Sequence, residues 1–469
     1  MRLAFVPLLL VAAAPAPIPA AAPDRVGWIA DFETAKAAIT RTSPNLEWQA
    51  ARGLDLAALE ARTRARLAAA TTPEAARDAI RLFLKPFADG HMEATPLAPP
   101  QSLAASPPKP TLVDCAALGI DDRLDEGGIA TRLPGYHSLT PPGAAIPAGL
   151  IAVGHRRLGI LRIALFAPAI SHCQKALAAS PPPATCDDKC RDRLSARIDD
   201  IFLTEIADRL RALGAARPDA LLVDLADNGG GNDTAIAIAR MLGGADVPSP
   251  RLALARTPAA VHDLENDLAE LDRNISTSAG RIRAAPYRAR LAAALAQARQ
   301  PCDLMPLWKG HTIACTNLAD RGYAGGLAAL EVPVADRASH WAALVSATAL
   351  YHTATRLWIS PVLILLDGNS ASSTELLAAM LQDAHRAKIV GAPSFGAGCG
   401  HTRPAEPVNL VHLGLTLTIP DCARLRADGT NELDGIAPDE PIPFREYDTA
   451  KQRTQRLLDA LPRLLDKAV

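Results

Sequence analysis

The stretch from Pro361 to Gly400 limits this chain more than any other. Val362 to Leu366 is an unbroken apolar run, the pattern of a strand covered on both faces. A small-residue turn follows, Gly368-Asn369-Ser370-Ala371-Ser372-Ser373-Thr374, and then Glu375 to His385 shows a helical period. A serine on a tight strand-to-helix turn is exposed, and helix N-terminal amides beside it can stabilise an oxyanion. Serine N-caps on an ordinary turn have the same composition, so this segment alone does not separate a nucleophile from a cap.

A second stretch repeats the layout. Ala220 to Leu225 is another buried strand, Asn228-Gly229-Gly230-Gly231 a glycine turn, and Asp233 to Leu242 a helix. Glycines at a strand end allow close backbone approach and unusual dihedrals, so their amides can line a site. No phosphate-loop lysine follows.

In this order the two stretches resemble the peptidase family of C-terminal processing proteases, tricorn core proteases and retinoid-binding-protein repeats. The D-L-R-x-N-G-G-G turn of that family is matched by Asp224-Leu225-Ala226-Asp227-Asn228-Gly229-Gly230-Gly231. Its S-A-S-A-S-E block is matched by Ser370-Ala371-Ser372-Ser373-Thr374-Glu375. The Q-D and V-G-x-x-T-F-G that follow are matched by Gln382-Asp383, Val390-Gly391 and Ser394-Phe395-Gly396. The resemblance implies an α/β fold: a crotonase-like ββα core with an N-terminal helical domain and a C-terminal β hairpin region. It also implies a serine peptidase with its nucleophile at Ser372. The oxyanion hole would combine the amide of Ser373 with that of Gly229 or Gly230.

Processing proteases of this family place a lysine base directly after the F-G of the last block. Ala397 stands there, and no lysine lies between Lys388 and Lys451, which argues against a serine-lysine dyad. The tricorn-like branch uses a histidine from an N-terminal helical region and a glutamate near the C-terminus. Phe87-Ala88-Asp89-Gly90-His91 resembles its L-x-D-G-H block, in a helical region that also holds Pro44-Asn45-Leu46 and a helix start at Thr72-Pro73-Glu74. Thr72 is a good N-cap with proline at the first helical position. Glu432-Leu433-Asp434-Gly435-Ile436-Ala437-Pro438-Asp439 resembles the family's E-N-x-G-V-x-P-D block. The resemblance thus implies His91 as base and Glu432 as the carboxylate that orients it. His401 is the rival base and Asp434 the rival carboxylate. Gly90 replaces a serine usual in the branch, and Asp383 is expected to serve structure at its helix end. An α/β-hydrolase esterase is disfavoured, because Ser372 sits in N-S-A-S-S and not in a G-x-S-x-G elbow.

Met1-Arg2, the apolar Leu3 to Ala14, and a small-residue stretch to Pro23 read as a secretory signal peptide over 1–22. The expected location is secreted or periplasmic. No later apolar run approaches the roughly 20 residues of a membrane span. With 49 Lys+Arg against 50 Asp+Glu, a formal net charge of -1, nucleic-acid binding has no electrostatic support. The 8 cysteines are even in number, which in an exported chain favours disulfides. Cys302 with Cys315 and Cys399 with Cys422 are the preferred pairs. Cys186 and Cys190 have no second Cys or His pair at zinc spacing, so no metal is expected, and no cofactor either.

Along the chain, 24–95 reads as an N-terminal helical domain and 96–110 as a proline-rich linker. A strand-rich or irregular cover occupies 111–156, without the blocks of a complete PDZ domain. A peptidase core spans 157–445, with a helical insertion at about 249–355, and 446–469 closes as a C-terminal helix. The expected function is an exported serine endopeptidase acting on peptides or unfolded proteins. The alternative is a catalytically silent relative that binds peptides or small ligands in the same cleft.

Overall fold

The computed structural model describes residues 23–98, 114–120, 128–183, 186–351, 354–403 and 407–468. The expected signal peptide and most of the proline-rich linker lie outside these residues. The architecture is mixed α/β around a seven-stranded sheet. From one edge its strands are Glu440–Pro441, Lys388–Gly391, Val362–Leu366, Ala220–Asp224, Arg156–Arg162, Ala148–Val153 and His137–Ser138. The first five run parallel, and the last two pair antiparallel. The sheet therefore starts within 111–156, the stretch expected as a strand-rich or irregular cover.

The apolar strands have partners on both faces. Leu221 and Val223 point to one layer, with the helices Asp188–Ala215, Thr234–Gly243 and Ser373–Asp383. Ala220 and Leu222 point to the other, where the helix Ala450–Ala468 packs through Leu457, Leu461, Leu464 and Leu465. Burial on both sides is why these strands read as continuous apolar runs.

The N-terminal residues form helices at Arg25–Thr42, Leu46–Ala51, Leu56–Ala69 and Pro73–Leu84. The last is capped by Thr72 Oγ1, which accepts from Ala75 N at 3.2 Å. Their apolar faces do not close on each other alone. Phe32, Phe83 and Phe87 share one core with Leu304, Leu307 and Trp308 of the insertion and with Leu410, Leu413, Leu415 and Leu417 of the C-terminal hairpin. Trp308 stacks on Phe83 and donates its Nε1 hydrogen to Thr40 Oγ1 at 2.8 Å. The hairpin strands Val408–Leu410 and Leu415–Thr418 also take up Glu93–Pro96 as a third strand.

The insertion has the expected helices, Pro258–Asn274 and Ser278–Ala298, but it is not only helical. Its strands Arg251–Ala255 and Leu318–Tyr323 form a second three-stranded sheet with Cys422–Leu425. The partner strand lies far downstream, so no local pattern announces the pairing. Four disulfides are formed: Cys115–Cys173, Cys186–Cys190, Cys302–Cys315 and Cys399–Cys422. The last two are the pairs expected. No helix among the described residues is long and apolar enough to cross a membrane.

Candidate active site

Val362–Leu366 and Ala220–Asp224 are neighbouring parallel strands, so the turns at their C-terminal ends meet. Three of the bonds that join the turns lie beside the glycines. Ala371 N donates to Asn228 O at 3.0 Å, Thr374 Oγ1 to the same oxygen at 2.9 Å, and Ser373 Oγ to Gly231 O at 3.0 Å. The approach is so close that a Cβ on Gly230 would lie 2.7 Å from the Cβ of Ser372. Only glycine fits there.

Ser372 itself has φ 56° and ψ -114°, a backbone state that a serine holds only when its surroundings impose it. Glu375, fully buried one turn into the helix, supplies that constraint. Its Oε2 accepts from Ser372 N at 2.8 Å and from Ala397 N at 2.9 Å. Its Oε1 accepts from Ser394 Oγ and from Gly396 N, both at 2.6 Å. One carboxylate thus holds the serine turn against the Ser394–Ala397 loop.

Three serines compete in this block, and their hydrogen bonds separate them. Ser370 is fully buried and donates to Leu225 O at 2.9 Å. Ser373 Oγ is bound to Gly231 O. The Ser372 hydroxyl is half-buried and has no protein partner among the described residues. It is the one hydroxyl of the three left for a substrate.

One of the amides expected in an oxyanion hole is occupied. Gly230 N donates to Asn228 Oδ1 at 2.9 Å, an Asx turn that occupies the amide. Gly229 is exposed, and neither its amide nor that of Ser373 has a protein acceptor among the described residues. The free pair is therefore Ser373 with Gly229.

His91 is brought in by the N-terminal region. Its ring lies against Gly400, where an added Cβ would sit 2.9 Å from Nε2. Nδ1 is 2.8 Å from Ala397 O. A carbonyl only accepts, so Nδ1 carries the hydrogen and Nε2 keeps its lone pair, the tautomer a general base requires. Burial pushes the imidazole pKa below its ordinary value, the Ala397 contact opposing and the charge of Arg424 adding to the fall. Behind the ring, Asn431 Nδ2 donates to Asn45 Oδ1 at 2.8 Å and Asn45 Nδ2 to Asp89 Oδ2 at 3.2 Å. Asp89 Oδ1 accepts from His91 N at 3.0 Å. Burial raises the Asp89 carboxyl to about 6. His401 meets the His91 ring edge-on, with centroids 6.2 Å apart, and its buried Nδ1 has no partner.

Glu432 does not orient the imidazole, whose Nδ1 is already taken by Ala397 O. Glu432 is fully buried, and its Oε2 accepts from Arg424 Nε at 2.6 Å. Burial raises its pKa, with Arg424 opposing. Nη2 of Arg424 donates to Ser372 O at 2.9 Å and to Gly398 O at 2.7 Å. The carboxylate therefore acts on the serine turn through a guanidinium. Its rival Asp434 pairs with Arg52 at the surface, at 2.7 Å, and Asp383 binds Arg426 and the Ala427 amide.

The chain and its fold have counterparts in known proteins. Residues 197–442, over half of the chain, match the model of peptidase family S41. The chain belongs to peptidase family S41. Mature CPAF, a solved structure, superposes over 95% of this chain and 98% of its own, with a TM-score of 0.57 and 14% identity. Mature CPAF complexed with lactacystin gives a TM-score of 0.56 at 15% identity, over 95% and 99% of the two chains. These likenesses are of fold. A carboxy-terminal-processing protease of Bartonella bacilliformis is 48% identical over 97 residues, 19% of this chain and 21% of that protein's length.

Within this S41 member, sequence reasoning missed three groups. Glu375 stands at capping-box spacing from Ser372, a signal that names it as a turn anchor. Asn45 lies in a motif already singled out. Arg424 has no local signal at all, because its partners come from Ser372, Gly398 and Glu432.

Proposed function

We propose that this chain is an exported serine endopeptidase that hydrolyses peptide bonds through an acyl-enzyme on Ser372. The observation that carries this reading is the Ser372 turn: a strained, accessible serine whose hydroxyl alone among its neighbours is uncommitted, at a helix N-terminus beside two free amides. In the first step Oγ attacks the substrate carbonyl carbon while His91 Nε2 takes the hydroxyl proton. The carbonyl oxygen becomes an oxyanion held by the amides of Ser373 and Gly229. Collapse expels the amine, which leaves with the proton from His91. Water then attacks the acyl ester, again with His91 as base, releasing the acid and restoring Ser372. The Ala397 carbonyl fixes the tautomer, and Glu432 sets the serine turn through Arg424.

The proposed substrates are peptides or unfolded proteins, met in a secreted or periplasmic setting that four disulfides suit. A second reading, a silent relative that binds peptides or small ligands in the same cleft, is favoured by one observation. No hydrogen bond joins Ser372 Oγ to His91 among the described residues, and the nearest carboxylate oxygen, on Asp89, is 4.0 Å from Nδ1. Labelling with a fluorophosphonate separates the two. A covalent adduct on Ser372, lost in Ser372→Ala, supports the peptidase. Well-folded protein that neither labels nor turns over casein is the silent relative.

A further inference from the structure

The strand Glu93–Pro96 begins two residues after His91 and lies at the edge of its sheet. Its register decides which backbone groups are free. Leu97 N donates to Gly414 O at 2.9 Å, and in an antiparallel ladder hydrogen-bonded pairs alternate. Thr95 opposite Thr416 and Glu93 opposite Thr418 are therefore the bonded pairs, while Ala94 opposite Leu417 is not. The Ala94 N–H and C=O point away from the sheet, with no strand beyond them among the described residues. Pro96 offers only a carbonyl there, which ends the usable edge.

A cleft of about 400 Å³ lies along this segment, lined by Leu84, Met92, Ala94 and Phe395 together with charged side chains, Arg81 and Lys85 among them. Phe395 ties it to the serine. The ring is 55% exposed and covers Gly90, where an added Cβ would be 2.6 Å from Cε1. Its amide donates to Ser370 O at 2.9 Å, two residues before Ser372. The free edge and the cleft thus adjoin the loop that is bonded to the serine turn.

We infer that the substrate peptide docks here in extended form, adding as a strand to the Glu93–Pro96 edge and placing an apolar side chain against Phe395. Main-chain pairing with Ala94 holds the peptide whatever its sequence, and the cleft selects for an apolar residue. This inference rests on the peptidase reading and deepens it to a substrate class: unfolded segments with an apolar residue and a free backbone.

Binding can be tested apart from catalysis by using Ser372→Ala protein. The probe is a fluorescein-labelled ten-residue peptide of alanine and threonine with one central leucine, followed by anisotropy. N-methylation of single peptide amides is expected to weaken binding at alternate positions, by up to about tenfold for one lost hydrogen bond. Hydrogen exchange at Ala94 should slow when the peptide binds, and Phe395→Ala should weaken the leucine peptide more than its alanine counterpart. Absent binding to folded protein, N-methyl losses without a period of two, or an Ala94 amide already protected in the free protein would each overturn it. Failure of the peptidase reading appears elsewhere, as absent fluorophosphonate labelling of wild type.

Discussion

The two halves of the candidate site are built in different ways. The Ser372 half comes from two adjacent strand ends and one helix, locked by Glu375 within a few residues of the serine. The His91 half is assembled from afar: Asn45 and Asp89 from the N-terminal region, Ala397 and Gly400 from the loop after the serine helix, and Asn431 from near the C-terminus. A nucleophile needs backbone geometry, which a short motif encodes. A base on a foreign element needs docking, and docking depends on a core shared by three regions.

The comparison can be broken by substitution. Ser372→Ala should have the largest effect, removing casein hydrolysis by roughly 10⁶-fold with thermal stability nearly unchanged. His91→Ala should lower kcat by roughly 10²–10⁴-fold, the range for loss of a general base. In the wild type, kcat/KM should rise with pH as the imidazole loses its proton, and because burial lowers that pKa the midpoint should fall below about 6.5. A midpoint above that value would transfer the role, and His401→Ala would then be the test.

Arg424→Met should act between the halves. It frees the Ser372 and Gly398 carbonyls and strands Glu432, so labelling of Ser372 should slow by roughly 10²-fold, comparable to losing one preorganised donor. Rescue by Arg424→Lys, with the pH midpoint unmoved, would mark Arg424 as a positioning group. Unchanged labelling would leave the guanidinium a packing role. The smallest effect is expected at Asn45→Ala. Loss of the Asp89 and Asn431 contacts should cost about 1–3 kcal/mol of stability, read by denaturant, with only a few-fold loss of activity.

Legibility in the sequence follows the same division. The serine strand and its helix, the glycine turn and the Cys302–Cys315 and Cys399–Cys422 pairs were readable because each is a local pattern or a short loop. The Asp89-Gly90-His91 block was readable only through family resemblance, since a histidine after a helix has no intrinsic mark of a base. What failed was partner assignment. Glu432 was expected on the imidazole, yet Arg424 draws it away, and Asn228 takes the Gly230 amide that seemed free. Such competitions are settled by side chains distant in the chain. The strands within the insertion escaped for the same reason, because Arg251–Ala255 finds its partner only at Cys422–Leu425.

The hairpin strand Leu415–Thr418 and the guanidinium of Arg424 both follow Ser372 in the chain, yet one holds the segment after His91 and the other the serine carbonyl. As the polypeptide is made, the hydroxyl therefore emerges before the parts that hold its turn and the segment after His91. On the peptidase reading, competence to cut is expected only once these segments are in place. A chain stopped short of Leu415 would carry the serine block without the contacts that hold the segment after His91 and the serine carbonyl.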